Sequence, residues 1–156
     1  MKPHFKRYSP LAALIFLLAL LNITKFSVHA NFSITEIKAV AELSFPDNDG
    51  KPSDWIEITN TSDSSASLEG YFLTNNANDL KRWQFPSVNL SKGGSIIVFA
   101  SAKNRINPAE PLHASFTLDR KGDYLALIAP DGISVVSGFD EGYPEQYPGS
   151  SYGYGT

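Results

Sequence analysis

The sequence predicts an all-β domain of two packed antiparallel sheets, preceded by a cleavable leader. Three observations predict it. Past residue 30 no segment carries apolar residues at helical spacing over about ten or more positions. Short β-rich runs recur instead at roughly the 8–12-residue spacing of sandwich strands, separated by Gly, Pro, Asn and Asp. The chain also has no cysteine, so it has no disulfide or thiolate ligand, and an ordinary apolar core must hold it together.

Ser33–Val40 reads as the first strand, closed by the turn Pro46-Asp47-Asn48-Asp49-Gly50. Trp55–Asn60 alternates, with Ile56 and Ile58 on one face and Trp55, Glu57 and Thr59 on the other. Leu68–Asn75 places Tyr71 and Leu73 together, and Arg82–Pro86 does the same for Trp83 and Phe85. Gly93-Gly94 opens Ser95–Ala100, a nearly continuous apolar run suited to a strand covered on both sides. Ser115–Leu118 and Asp123–Ala129 flank the hairpin turn Asp119-Arg120-Lys121-Gly122, and Pro130-Asp131-Gly132 leads into Ile133–Val136. These make about eight short strands. The same-parity pairs Ile56/Ile58, Tyr71/Leu73, Trp83/Phe85, Ile97/Phe99, Phe116/Leu118 and Leu125/Leu127 form the expected core.

The first thirty residues stand apart. Lys2, Lys6 and Arg7 precede an apolar run from Leu11 to Leu21, and Val28-His29-Ala30 ends the segment with small residues where a signal peptidase reads them. A spanning helix needs roughly 20 apolar residues, and this run meets Asn22 first. The expectation is a signal peptide over 1–30, cleaved after Ala30, leaving no stable membrane span and a secreted, periplasmic or cell-surface product. Removing it takes four of the thirteen basic side chains and none of the sixteen acidic ones, leaving nine against sixteen and a net charge of −7. That balance argues against nucleic acid, which is bound through basic patches. Lys81-Arg82 and Arg120-Lys121 read as solvated turn charges. The rest is long enough for one apolar core: a sandwich over 31–137, then a Gly/Pro/Tyr-rich strap or linker over 138–156.

Taken in order, several short motifs resemble the lamin tail domain family in its bacterial exported form. They are Ile34-Thr35-Glu36-Ile37, Asp54-Trp55-Ile56-Glu57-Ile58-Thr59-Asn60 and Leu68-Glu69-Gly70-Tyr71-Phe72-Leu73-Thr74. Trp83-Gln84-Phe85-Pro86, Val98-Phe99-Ala100-Ser101, Leu112-His113-Ala114-Ser115-Phe116, Pro130-Asp131-Gly132 and Ser151-Tyr152-Gly153 continue the likeness. The resemblance implies an immunoglobulin-like β-sandwich without a family active site. It also implies an accessory or tethering role, with this chain as the N-terminal module of a larger exported protein.

The candidate chemistry is sparse. His113 is the only histidine past residue 30, so a small Ser/His/Asp hydrolase would have to use it, with Ser115 or a distant serine as nucleophile. No nucleophile elbow presents such a serine: the G-x-S-x-G string Gly149-Ser150-Ser151-Tyr152-Gly153 falls in the Gly/Pro/Tyr-rich terminal stretch, with no helical pattern after it. One histidine without cysteine cannot assemble the usual zinc set. Asp47, Asp49 and Asp54 suggest calcium, but Gly50 falls fourth and Lys51-Pro52 interrupts, so a plain Asp/Asn/Gly turn is the better reading. Trp55, Trp83, Tyr143, Tyr147, Tyr152 and Tyr154 are candidates for a sugar-stacking platform; Trp55, opposite Ile56 and Ile58, sits on the outer face or beneath a covering loop. Asn31-Phe32-Ser33, Asn60-Thr61-Ser62 and Asn89-Leu90-Ser91 match the glycosylation acceptor pattern and read as chance matches in loop-rich sequence. The sequence therefore assigns no catalytic residue, cofactor or metal. It points to a binding or tethering module for a protein or an extracellular polymer, with carbohydrate binding through Trp55 and hydrolysis through His113 as the alternatives.

Overall fold

The computed structural model describes residues 32–42 and 44–153. The expected leader, its cleavage after Ala30, the Asn31 acceptor site and Tyr154 lie outside them. Eleven strands are found among the described residues. β1 (Phe32–Lys38), β2 (Asp54–Asn60), β7 (Ser95–Ala100), β8 (Leu112–His113) and β11 (Tyr152–Gly153) form one sheet in the order β11-β1-β2-β7-β8. β4 (Phe72–Thr74), β5 (Trp83–Gln84), β9 (Leu125–Ile128) and β10 (Val135–Phe139) form the other, in the order β10-β9-β4-β5. β3 (Ala66–Ser67) and β6 (Asn89–Leu90) make a small separate ribbon.

Cross-strand register explains the core. Ile34 lies opposite Ile58, Ile37 opposite Ile56, and Ile56 opposite Val98, so these side chains share one face. Ile34 and Ile37 are an odd number of residues apart and would fall on opposite faces of a regular strand. A bulge between Ile34 and Glu36 restores both to the interior. Leu73, Trp83, Phe85, Leu125 and Leu127 meet them from the second sheet, and Phe116 and Leu118 close one end. Ser137 of β10 fastens the two sheets at an edge, its Oγ accepting from the Ile34 backbone N–H at 3.0 Å.

Three expectations need correction. The strand expected at Ser115–Leu118 is irregular chain with one isolated bridge, Ser101 to Thr117, and the pairing strand falls earlier, at Leu112–His113. That strand runs parallel to β7, so the pairing is not wholly antiparallel. Ile97 and Phe99 do not join the main core: Ile96, Val98 and Ala100 face inward, and Phe99 lies beside Trp55 on the outer face. An unbroken apolar run has no alternation from which its facing could be read.

Residues 138–153 pack on the sandwich. β10 runs through Phe139, which packs edge-on against Tyr143. The chain then crosses from the second sheet to the first. Tyr143 donates from N–H to Asp123 O at 3.1 Å, Gln146 N–H to Arg120 O at 2.7 Å, and Gly149 N–H to Glu42 Oε1 at 2.8 Å. β11 finally pairs with β1, Tyr152 opposite Ile37 and Gly153 opposite Glu36. Gly122 permits the crossing, because a Cβ there would stand 2.2 Å from Tyr143 O and its φ is +97°.

Candidate functional site

A dense polar cluster lies where the β1–β2 loop folds over the outer face of the first sheet. Trp55 and Phe99 are cross-strand partners, and Phe45 from that loop covers both, with ring centroids 5.9 and 6.0 Å away. β8 adds His113 beside Phe99, the two rings stacked at 5.2 Å. This is a second apolar cluster, and it buries His113 completely.

The imidazole is held at both nitrogens. Nδ1 lies 2.7 Å from Ser101 Oγ, and Nε2 lies 2.8 Å from Asn48 Oδ1. Since the Asn48 oxygen can only accept, Nε2 carries the hydrogen, and Nδ1 accepts from the Ser101 hydroxyl. Burial, then the cations Lys103 and Arg105, hold the imidazole pKa below its ordinary value, while Asp47 and Asp49 oppose them.

Asp47 anchors the loop that supplies Asn48. Its Oδ1 accepts from the backbone N–H groups of Asp49 (2.9 Å) and Lys51 (3.1 Å), and its Oδ2 from Ser53 Oγ (2.7 Å) and from Lys103 Nζ. Burial pushes this carboxyl upward, but hydrogen bonds from Lys103, Ser53 and the two amides outweigh it and keep the group well below the usual carboxylate range. Asp49 accepts from Lys103 at 2.7 Å and takes a two-pronged contact from Arg105 at 3.0 and 2.7 Å. Arg105 first, then Lys103, lower it to about 2. The oxygens that a cation would need already face two side-chain cations and a row of amides, and among the described residues no group of three or more His, Cys, Asp or Glu is placed to hold a metal.

Asp54 lies outside this network. Burial raises its pKa to about 6, against the backbone hydrogen bonds from Leu118 and Ala41. The unfolded chain would lose this proton near pH 3.8 and the folded chain only near 6. The folded state thus binds the extra proton between those values, and stability from this group falls as pH rises through that window. Asp54→Asn should remove that slope. Melting temperatures at pH 5 and pH 7.5 should show the variant gaining on the parent at the higher pH; an unchanged difference would place Asp54 in water.

The other candidates do not converge. Ser115 Oγ donates to Arg82 O at 3.2 Å, so Ser101 takes the place expected for Ser115 beside His113. Trp55 is half-buried under Phe45, and its Nε1 is buried without a hydrogen-bond partner among the described residues. Trp83 and Tyr143 are in the core, Tyr152 is on β11, and Tyr147 is exposed, so no common aromatic platform forms among the described residues. Asn60 is buried and donates its amide to the carbonyls of Ser64, Leu90 and Ser91, which removes it as an acceptor site in the folded chain. The Lys81-Arg82 and Arg120-Lys121 pairs are exposed, with Arg82 over the Phe116 ring and Arg120 facing Glu145.

The family model of the Lamin Tail Domain matches residues 28–140. This chain belongs to the lamin tail domain family. Its two-sheet sandwich is the immunoglobulin-like fold that membership implies, and the family is generally non-enzymatic. No curated protein matches the chain. The family match ends just after β10, yet in this lamin tail domain the segment 141–153 supplies Tyr143 to the core and β11 to the first sheet. No helix among the described residues is long and apolar enough to cross a membrane.

Proposed function

We propose that this chain is a non-catalytic binding or tethering module of an exported protein, its leader-like N-terminal sequence supporting export. One observation carries the non-catalytic part: the only histidine past residue 30 is fully buried and holds a loop in place. Ser101, His113 and Asn48 do line up as hydroxyl, imidazole and amide, the order of a hydrolase triad. Three features work against proton transfer. A general base must become imidazolium, and burial beside Lys103 and Arg105 disfavours that cation. The orienting group is a neutral amide, which stabilises imidazolium less than a carboxylate would. Asp47 and Asp49 are nearby, but each is paired to a cation.

Purified protein should give no turnover of nitrophenyl esters, phosphates or glycosides above the rate in buffer. The decisive variant is Ser101→Ala, which leaves His113 packed on Phe99. Turnover that this variant abolishes would overturn the reading.

A further inference from the structure

We propose that Asp47 and Lys103 condense into an intramolecular amide, a covalent cross-link between the β1–β2 loop and the segment that follows β7. The cross-link goes beyond the binding-module reading and does not depend on it. The two groups already touch: Lys103 Nζ donates to Asp47 Oδ2, and the Asp47 side chain is wholly buried there. They stand 56 positions apart in the sequence. Strained backbone aims the lysine, since Ala102 and Asn104 on either side of it have φ of +59° and +52°. Residues with a Cβ rarely enter this region, and alanine has no polar side chain to offset the cost. The Ala102 and Asn104 N–H groups hold the strained turn by donating to Phe116 O and Ala114 O, at 3.1 and 3.2 Å. Strain of this kind concentrates at functional sites. An ordinary surface ion pair needs neither a sealed carboxyl nor a strained lysine turn.

The carboxyl is arranged as an acyl acceptor. Its Oδ1 accepts from the N–H groups of Asp49 and Lys51 at 2.9 and 3.1 Å, the paired donors of an oxyanion hole. Its Oδ2, the oxygen that must leave, accepts from Ser53 Oγ at 2.7 Å. Asp49 Oδ2 stands 2.7 Å from Lys103 Nζ, within reach of its protons.

Despite its burial Asp47 rests as a carboxylate, and its hydrogen bond keeps Lys103 protonated. The first step is therefore a proton transfer within the pair, from Nζ to Oδ2. The Nζ lone pair then adds to Cγ, and the charge that develops on Oδ1 falls between the two amides. Asp49 takes a second proton from Nζ and passes it to Oδ2, the Cγ–Oδ2 bond breaks, and water departs. Two of the three ammonium protons leave in that water and the third stays on the amide nitrogen, so the step needs no co-reactant. A cleft of about 260 Å³ lined by Ser53 and Lys103 gives the water an exit. In the product Oδ1 still accepts from both backbone amides, and the new N–H donates to Asp49. Such a condensation runs uphill between separate molecules in water, but well-oriented groups in one molecule reach effective concentrations of about 10⁵–10⁸ M. The chain has no cysteine, so a disulfide cannot supply this staple.

Intact-mass spectrometry of the full chain, held for days at neutral pH, tests the proposal. The parent should be lighter by one water than the mass calculated from the N-terminus it is found to carry. Its tryptic digest should contain a branched peptide in which Lys103 is uncleaved and joined to Asp47. Lys103→Arg keeps a cation beside Asp47 but removes the amine nucleophile, and should have the full mass. Asp49→Asn should slow the water loss about a hundredfold or more, the usual contribution of a positioned base. A parent of full mass would overturn the cross-link. So would a water loss that persists in Lys103→Arg, or that maps to a succinimide at Asp49-Gly50 or Asp131-Gly132. The branched peptide is read on the parent alone, so its presence or absence decides the matter even where a variant fails to fold.

Discussion

Replacing Tyr143 with alanine should destabilise the domain by about 3–5 kcal/mol, the cost of emptying a buried aromatic site. Tyr143 is 2% exposed. Its hydroxyl accepts from Asp119 N–H at 2.9 Å and donates to Asp119 O at 3.0 Å, pinning the 119–122 turn from the far side of the crossing chain. Tyr143→Phe keeps the ring and orphans the Asp119 groups, so a smaller loss of about 1–2 kcal/mol is expected. Denaturant melts of both variants measure these values. If alanine cost less than about 0.5 kcal/mol, as at an exposed site, the segment past β10 would be a linker lying on the surface and not part of the fold.

Ile58→Ala and Phe99→Ala should both be costly, for different reasons. Ile58 is sealed between the sheets, and its truncation should cost about 3–5 kcal/mol. Phe99 sits in the smaller outer cluster under Phe45, which is 47% exposed and free to settle into the gap, so about 2–4 kcal/mol is expected. Only Phe99→Ala should alter the environment of Trp55, visible in tryptophan emission before unfolding begins. Glu57, on that same outer face, accepts from Thr35 Oγ1 at 2.5 Å; Thr35 is joined in turn to Thr59, and Thr59 to Ser95. Its replacement by alanine should cost only about 0.5–1 kcal/mol. A Glu57→Ala loss equal to that of Ile58→Ala would contradict the facing of β2.

The strands that sequence located best are those whose alternation or flanking turns are local. β2 shows strict alternation, and β7 has its Gly93-Gly94 opening, so both lie where the residues indicate. What was not legible depends on contacts far along the chain. The bulge at Ile34–Glu36 is defined by register with β2, β8 by a parallel partner, and β11 by an edge of β1 more than a hundred residues away. Phe99 faces outward because a loop arrives to cover it, which nothing in Ser95–Ala100 reveals. At the candidate site, Asp47, Asp49 and His113 are visible as chemistry-bearing residues. Their convergence is not, since Asn48 and His113 are 65 positions apart. The turn signature Asp-Asn-Asp-Gly identifies the turn correctly, but not that Lys103 and Arg105 neutralise its carboxylates. Ser101 is visible in the sequence only as the end of the Val98-Phe99-Ala100-Ser101 motif, which says nothing of its contact with His113.

His113 is a sealed structural group held in its neutral form, and its imidazole resonances test this most directly. In a proton–nitrogen correlation spectrum followed downward from pH 8, His113 should be the neutral tautomer with hydrogen on Nε2, and any titration should fall below the ordinary histidine value. The buried ring, the Asn48 acceptor and the two neighbouring cations all require that outcome. A titration centred near the ordinary histidine value of about 6.5, or a hydrogen on Nδ1 at neutral pH, would contradict it and return His113 to the list of groups able to exchange protons with a substrate.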